Sequence, residues 1–161
     1  MMWLSIDPAT TSGVAVWCDS TLQHTFVVKP RGAKGAWYCG ATVCNSRLQA
    51  WDAAYRGVEA VVIERGFGGM QTANRAQGMQ VGWHQYACAV RGLEYPVEVN
   101  VAEWRRVIKE DQQVSWPRDS KRCKQLSQQL AAKLYGVELG EDESDAVLIG
   151  RAALRMGVVP K

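Results

Sequence analysis

Two carboxylates in this sequence stand where the active site of an α/β sheet is expected. Asp7 follows an apolar run at residues 2–6, and Glu64 follows a β-branched run at residues 58–63. Both are therefore predicted at the carboxyl ends of buried strands, the edge of an open α/β sheet where ligands bind. One acid at such a place equally suits a turn former or a cap. Two in one sheet, each followed by a glycine-containing loop, favour a binding site.

Asp142 and Asp145 add two carboxylates from a predicted final helix at residues 141–156. They are three residues apart and so share a helix face, which continues through apolar residues as far as Met156. This spacing predicts that both aspartates extend the stripe that packs on the sheet, where two like charges are costly unless a cation compensates them. The alternative is that the acids of this segment only cap the helix, since the helix dipole favours acids in the first turn.

Four carboxylates gathered from two strands and a helix would form a site with oxygen ligands alone. Oxygen donors without His or Cys suit Mg²⁺ or Mn²⁺. Two such ions about 3.5–4 Å apart clamp a phosphodiester in line, with one lowering the pKa of the attacking water and the other stabilising the departing 3′ oxygen. We therefore expect Asp7, Glu64, Asp142 and Asp145 to bind two divalent ions and to hydrolyse phosphodiesters, without an organic cofactor.

The hydrophobic periodicities predict an α/β fold for the elements that position these acids. Three β-rich runs separated by two turns occupy residues 2–28 and predict an antiparallel meander. Strands at residues 58–63 and 95–101 alternate with helices at residues 42–56 and 72–91, which implies parallel crossovers. Further helices are predicted at residues 102–109, 120–134 and 141–156. We expect a central five-stranded mixed sheet, with three antiparallel strands followed by two parallel ones, flanked by helices on both faces.

Composition limits the class of protein. The 161 residues are 47% hydrophobic and 22% charged, which suits one folded domain with a buried core. A net charge of +3 is too small to indicate nucleic-acid binding by itself. Its distribution is more informative, because residues 101–134 carry eight basic and four acidic side chains, whereas residues 135–161 carry three and five. A basic stretch thus directly precedes an acidic one.

The five cysteines are irregularly spaced and include no CxxC pair, which argues against a zinc site. No apolar run is long enough to cross a bilayer, and the N-terminus lacks the basic and apolar regions of a signal peptide. We therefore expect no membrane partner and a reducing cytoplasmic setting, with the cysteines as small buried hydrophobes. The same features would equally fit a protein associated with the nucleoid, a viral protein in its host's cytoplasm or a protein of an organelle.

Three motifs carry a resemblance to a known family. Leu-Ser-Ile-Asp-Pro at residues 4–8 is followed by Ser-Gly-Val-Ala-Val at 12–16, Val-Val-Ile-Glu stands at 61–64, and Asp-Glu-Ser-Asp-Ala stands at 142–146. In this order they resemble the motifs of the RuvC family of Holliday junction resolvases, in the RNase H-like superfamily. The motifs span nearly the whole chain, and the resemblance implies one RNase H-like nuclease domain over residues 1–161.

The same resemblance implies a function. It assigns Asp7, Glu64, Asp142 and Asp145 as catalytic metal ligands, one to each motif position. It also implies a homodimer that cuts two strands symmetrically across a four-way DNA junction. The loop at residues 110–118 is less basic and less glycine-rich than the family pattern, which bears on the expected DNA affinity and junction preference.

Basic residues around the start of the predicted helix at residues 120–134 are candidates for DNA contact. Arg118, Lys121 and Lys124 lie at or near this helix N-terminus, where cations and free backbone N–H groups favour phosphate. A solvated helix end is the alternative. For Lys121 the resemblance adds that the family carries a basic residue here, close to the cleaved phosphate.

Two residues that follow Glu64 are further candidates for DNA contact. Phe67 lies in a glycine-flanked loop, and an aromatic side chain on such a loop can wedge into an opened base step. It can equally fold back over the core. Arg75, in the predicted helix at residues 72–91, could meet DNA sugar or phosphate.

Three other functions fit part of this pattern. A ribonuclease or RNA-processing nuclease of the RNase H-like superfamily would use the same four acids. A non-catalytic branched-DNA-binding protein would have no need of them, so the intact acidic set argues against it. A small-molecule phosphotransferase or ATPase of the actin-like type shares the opening Asp7 and the glycine-containing hairpin. Against this last function, the chain is short for two lobes and shows no second phosphate loop.

Overall fold

The computed structural model describes residues 1–9, 11–28, 57–65 and 71–159, without the side chains of residues 71–77 and residue 79. These ranges contain five strands and four helices. The strands are β1 (Met2–Asp7), β2 (Ser12–Cys18), β3 (Thr21–Val28), β4 (Val58–Arg65) and β5 (Val97–Asn100). The helices are α1 (Gln71–Val90), α2 (Val101–Gln112), α3 (Ser120–Tyr135) and α4 (Glu141–Met156). None of these helices is long and apolar enough to span a bilayer.

The strands form one mixed sheet in the order β3-β2-β1-β4-β5. β1, β2 and β3 pair antiparallel, whereas β1 pairs parallel with β4, and β4 parallel with β5. The predicted sheet of three antiparallel and two parallel strands is therefore confirmed. Ile6 of β1 is in register with Ile63 of β4, so Asp7 and Glu64 come next at the same edge of the sheet.

Each face of the sheet is covered by helices, as predicted. Trp3 and Ser5 of β1 are on the face against which α2, α3 and α4 pack, whereas Leu4 and Ile6 are on the opposite face, against α1. Because side chains alternate along a strand, Asp7 continues the series of Trp3 and Ser5 and lies on the α4 side.

Helix α4 lies directly on β1 and β2, held by a buried chain of hydrogen bonds. Trp17 Nε1 donates to Ser5 Oγ at 2.8 Å, and Ser5 Oγ donates to the carbonyl oxygen of Ala146 at 2.7 Å. Gly150 permits this approach, because a β-carbon there would lie 2.5 Å from Trp17 Nε1. At the start of α4 the approach is closer still: its backbone at Asp142 occupies the space that a β-carbon on Gly13 would need. The sheet thus fixes the position of the first turn of α4.

Several element boundaries differ from the sequence-based prediction. α2 runs to Gln112 instead of ending at residue 109, and its C-cap Gln113 adopts a left-handed conformation with φ 55°. The extension is stabilised from outside the helix, because Asp111 is held by Arg151 at 3.0 Å and also by Arg155, both from α4. β5 is shorter than predicted. The helix predicted at residues 42–56 lies outside the described residues.

Candidate functional site: an acidic edge of the sheet

The ionisation of Asp7 is affected by all three of the other acids predicted for the site. It ends β1, opposite Gly13 of β2. Its pKa is raised well above the ordinary value of 3.8, first because burial penalises the charged form and then because Glu64, Asp145 and Asp142 add like charges. The structure therefore brings the four carboxylates near enough for each of the other three to influence Asp7.

Glu64 is buried and oriented by a tryptophan. Its side chain continues the Ala60 and Val62 series of β4 toward α2 and is 8% exposed. Trp104 Nε1, from fully buried Trp104 in α2, donates a hydrogen bond of 2.7 Å to Glu64 Oε2. A hydrogen bond to a buried carboxylate is short and directional, so this contact fixes one oxygen of Glu64.

Asp145 presents an oxygen that lacks a partner in the described part of the chain. Its Oδ1 atom is buried and has no hydrogen-bond partner there. The pKa of Asp145 is raised, mainly by burial, although the nearby Ser127 hydroxyl, Arg105 and Lys124 act in the opposite direction. A buried carboxylate oxygen without a partner is costly, and a bound cation is the kind of group that would satisfy it.

The remaining acids of α4 divide into two roles. Asp142 Oδ1 lies 3.8 Å from Lys124 Nζ of α3, and the same ammonium lies 2.8 Å from Glu141 Oε2. Glu143 instead caps the helix, accepting a 3.3 Å hydrogen bond from the backbone N–H of Gly140. Glu143 therefore caps the helix, as the alternative interpretation of these acids expected, whereas Asp142 and Asp145 extend toward the other acids.

The donor chemistry of this acidic edge (Asp7, Glu64, Asp142 and Asp145) fits a hard divalent cation. All four supply carboxylate oxygen, and the Oδ1 atom of Asp145, which has no partner among the described residues, is available as a ligand. The side chains are not arranged as a formed coordination shell, however: in the described ranges no three His, Cys, Asp or Glu residues are grouped closely enough to hold a metal ion. With Glu64 bonded to Trp104 and Asp142 beside Lys124, binding would require side-chain adjustment.

Solved structures share this fold. Thermus thermophilus RuvC in complex with a Holliday junction substrate matches with a TM-score of 0.66, over 98% of this chain and 97% of that chain, at 18% sequence identity. The chain has the RuvC fold. A second T. thermophilus RuvC structure matches with the same TM-score and coverage at 19% identity. No protein-family model matches the sequence, and no curated protein matches it.

In this RuvC fold α3 packs against α4, and the start of α3 carries the basic residues predicted to contact DNA. Asp119 caps α3 by accepting a 2.9 Å hydrogen bond from the backbone N–H of Arg122. Arg118 and Lys121 are exposed, and no described ion pair involves either side chain. Lys124, one turn further along α3, is instead paired with acids of α4.

The structure does not test the two DNA-contact candidates that follow Glu64. Phe67 lies outside the described residues, and so does the side chain of Arg75, whose backbone belongs to α1. Their contact with DNA stays a prediction.

Sequence reasoning did not single out Trp104 or the packing around Arg105. The Arg105 guanidinium lies 5.2 Å from the ring centre of Trp104 and 5.0 Å from that of Trp116. Trp116 Nε1 in turn donates to the Arg105 carbonyl oxygen at 2.8 Å. Such stacking limits the motion of the guanidinium, and its positive charge partly offsets the rise in the pKa of Asp145 that burial causes. The spacing of Trp104 and Ile108, one turn apart on α2, could have indicated that Trp104 lies on the buried face of this helix.

If the acidic edge hydrolyses phosphodiesters with bound metal, as the four acids predict, Trp104→Phe should lower that activity by about 10- to 100-fold, because partners that orient a metal ligand typically contribute that much. Phenylalanine keeps an apolar ring in the core but removes the Nε1 donor to Glu64. Cleavage rate as a function of Mg²⁺ concentration measures the effect. Trp3→Phe is the matched control, because Trp3 is equally buried and donates instead to the Asp19 carbonyl oxygen at 2.7 Å. Equal activity of the two variants would contradict an orienting role.

Proposed function

We propose that this chain is a divalent-metal-dependent endonuclease that hydrolyses phosphodiester bonds of branched DNA, with four-way junctions as the preferred substrate. The observation that carries the proposal is the acidic edge itself: a buried Asp145 oxygen without a partner among the described residues, and Asp7, whose ionisation is opposed by three neighbouring carboxylates. Lys124, near the basic start of α3, lies 3.8 Å from Asp142 of this edge. The T. thermophilus protein of the same fold was solved in complex with a Holliday junction substrate, which supports branched DNA as the partner.

In this proposal Asp7, Glu64, Asp142 and Asp145 hold Mg²⁺ or Mn²⁺, two ions to each site. Such ions, when bound, supply a lowered pKa for the attacking water and charge stabilisation at the departing 3′ oxygen. Trp104 orients Glu64 through its 2.7 Å hydrogen bond. Without cations, the negative charge of these acids also repels a phosphate group.

The N-terminal end of α3 supplies the phosphate contacts. Arg118 and Lys121 are exposed there, and a helix N-terminus with adjacent cations attracts a DNA phosphate. The described part of one chain carries one acidic edge, so symmetric cutting of two strands calls for two copies. We accordingly propose a homodimer.

Incubation with labelled four-way junction, linear duplex, flap and RNA–DNA hybrid, each with Mg²⁺ and with a chelator, tests the proposal. Paired symmetric nicks on the junction that disappear with chelator are expected. Cutting of the hybrid alone would favour the ribonuclease instead. Junction binding without cutting under any metal would favour a non-catalytic branched-DNA-binding protein.

Lys121→Ala is expected to make the salt dependence of junction binding shallower. Each phosphate contact adds about 0.9 to the slope of log K against log salt concentration, so the slope should fall by about 1. Binding measured at several salt concentrations gives this value. Lys133→Ala, at the opposite end of α3, serves as the control. An unchanged slope for Lys121→Ala would mean that this lysine lies at a solvated helix end and does not contact phosphate.

A further inference from the structure

Lys124 is the cation that contacts the acidic edge in the described part of the chain. Its ammonium lies 2.8 Å from Glu141 Oε2 and 3.8 Å from Asp142 Oδ1. The side chain is 39% exposed, so the ammonium has room to move. We propose that Lys124 acts as a built-in counter-ion of the acidic edge, which compensates its negative charge without metal and competes with the incoming divalent cation. This inference rests on the proposed function, since it concerns the same acids.

The electrostatic reach of Lys124 extends past its direct partners. Its charge favours the ionised forms of Asp7 and Asp145, neither of which it contacts within ion-pair distance. One ammonium therefore partly offsets the repulsion among several carboxylates, and a lysine can do so because its long side chain places a compact charge between helices. The other cation that acts on Asp145 is Arg105, which is held between two tryptophan rings. Arg105 is thus confined by aromatic rings, whereas Lys124 is partly exposed.

Glu141 holds the ammonium of Lys124 from outside the acidic edge. It is 52% exposed, lies at the first residue of α4, and holds the ammonium 1.0 Å closer than Asp142 does. When a divalent cation binds to Asp142, Lys124 can retain its bond to Glu141 while moving away from Asp142. The device therefore requires no change in the backbone of α3 or α4.

Competition between like charges makes a quantitative prediction. A cation held 3.8 Å from a ligand oxygen repels a divalent ion at that oxygen, and the repulsion is weakened but not removed by partial exposure. Lys124→Met removes the charge and keeps most of the side-chain length. We expect Lys124→Met to bind Mn²⁺ about three- to tenfold more tightly than the unsubstituted protein in the absence of DNA. Its metal-free melting temperature is expected to fall, and the rise in melting temperature on adding Mn²⁺ is expected to be larger.

Isothermal titration with Mn²⁺ and thermal unfolding, both without DNA, measure these effects on the full chain. Lys124→Arg keeps the charge and should bind Mn²⁺ nearly as the unsubstituted protein does, which separates charge from packing. Lys124→Gln is the second neutral variant, should the methionine variant fail to fold. Lys133→Met controls for loss of one positive charge on α3 at a distance from the acids.

The outcomes distinguish this inference from the proposed function. If the unsubstituted protein binds Mn²⁺ and both neutral Lys124 variants bind it equally or more weakly, the counter-ion role is wrong and the nuclease proposal stands. If the unsubstituted protein binds no Mn²⁺ and cuts no substrate, both proposals are overturned. Tighter binding by Lys133→Met to the same extent would also overturn the inference, because net charge alone would then explain the effect.

Discussion

Asp7→Asn is expected to abolish cleavage, to leave junction binding intact and to stabilise the metal-free protein. Under the proposed function Asp7 is a metal ligand, so its loss removes metal-based stabilisation of the transition state worth several kcal/mol, and the rate should fall by at least about 10³-fold. Stability should change in the opposite direction, because the carboxylate at this position is opposed by Glu64, Asp145 and Asp142. Two unit charges about 5 Å apart at an effective dielectric constant near 20 repel by about 3 kcal/mol.

The stability gain has a defined pH dependence. In the folded chain the pKa of Asp7 is raised above 3.8, so the protonated form is favoured by folding. Stability from this group is fully present below about pH 3.8 and is lost as pH rises through the folded-state pKa. The asparagine variant lacks this loss. Its advantage in urea unfolding, measured with chelator present, should therefore grow from pH 4 to pH 8.

Asp19→Asn provides a control of opposite sign. Asp19 is exposed and bonded to the N-terminal ammonium at 2.6 Å, and that partner lowers its pKa. Neutralising Asp19 should not stabilise the protein and should leave cleavage unchanged. Normal Mg²⁺-dependent cutting by Asp7→Asn would mean that the acidic edge is not the active site.

The positions of the four acids follow from periodicity, which is why the sequence predicts them. Alternation along a strand places Asp7 and Glu64 on the α4 side, once the apolar runs are assigned to strands. Spacing of three along a helix places Asp142 and Asp145 on one face. Each inference is local, because it needs only the type of the element and which of its faces is hydrophobic. The same reasoning predicts the five-stranded sheet that the structure shows.

The partners of these acids could not be predicted in the same way. The hydrogen bond from Trp104 to Glu64 depends on how α2 crosses β4, and the ion pair of Lys124 with Asp142 depends on how α3 lies against α4. Such crossings are set by side-chain packing between elements far apart in the sequence. The longer α2 has the same origin, since its last turn is stabilised by the ion pair between Asp111 and Arg151.

Gly13→Ala is expected to damage the site without touching any acid. A β-carbon on Gly13 would collide with the backbone of Asp142 and lie 2.8 Å from the backbone nitrogen of Glu143. Backbone cannot rotate aside as a side chain can, so the start of α4 must move away from β2. Overpacking of this kind costs about 1–3 kcal/mol. The displacement also separates Asp142 from Asp7, and an error of about 1 Å in such a site lowers the rate by about 10²-fold.

Cleavage rate, Mn²⁺ affinity and thermal unfolding of Gly13→Ala, measured together, test this coupling between sheet and helix. Gly82→Ala is the matched control, because Gly82 is exposed on α1 and no described atom lies within 4 Å of a β-carbon built there. In a helix interior alanine is favoured over glycine by about 0.5–1 kcal/mol, so the control should be stabilised. A Gly13→Ala protein with full Mn²⁺ affinity and activity would mean that the first turn of α4 adjusts freely. The acids of α4 would then not depend on β2 for their placement, and Gly13 would serve only the turn that precedes its strand.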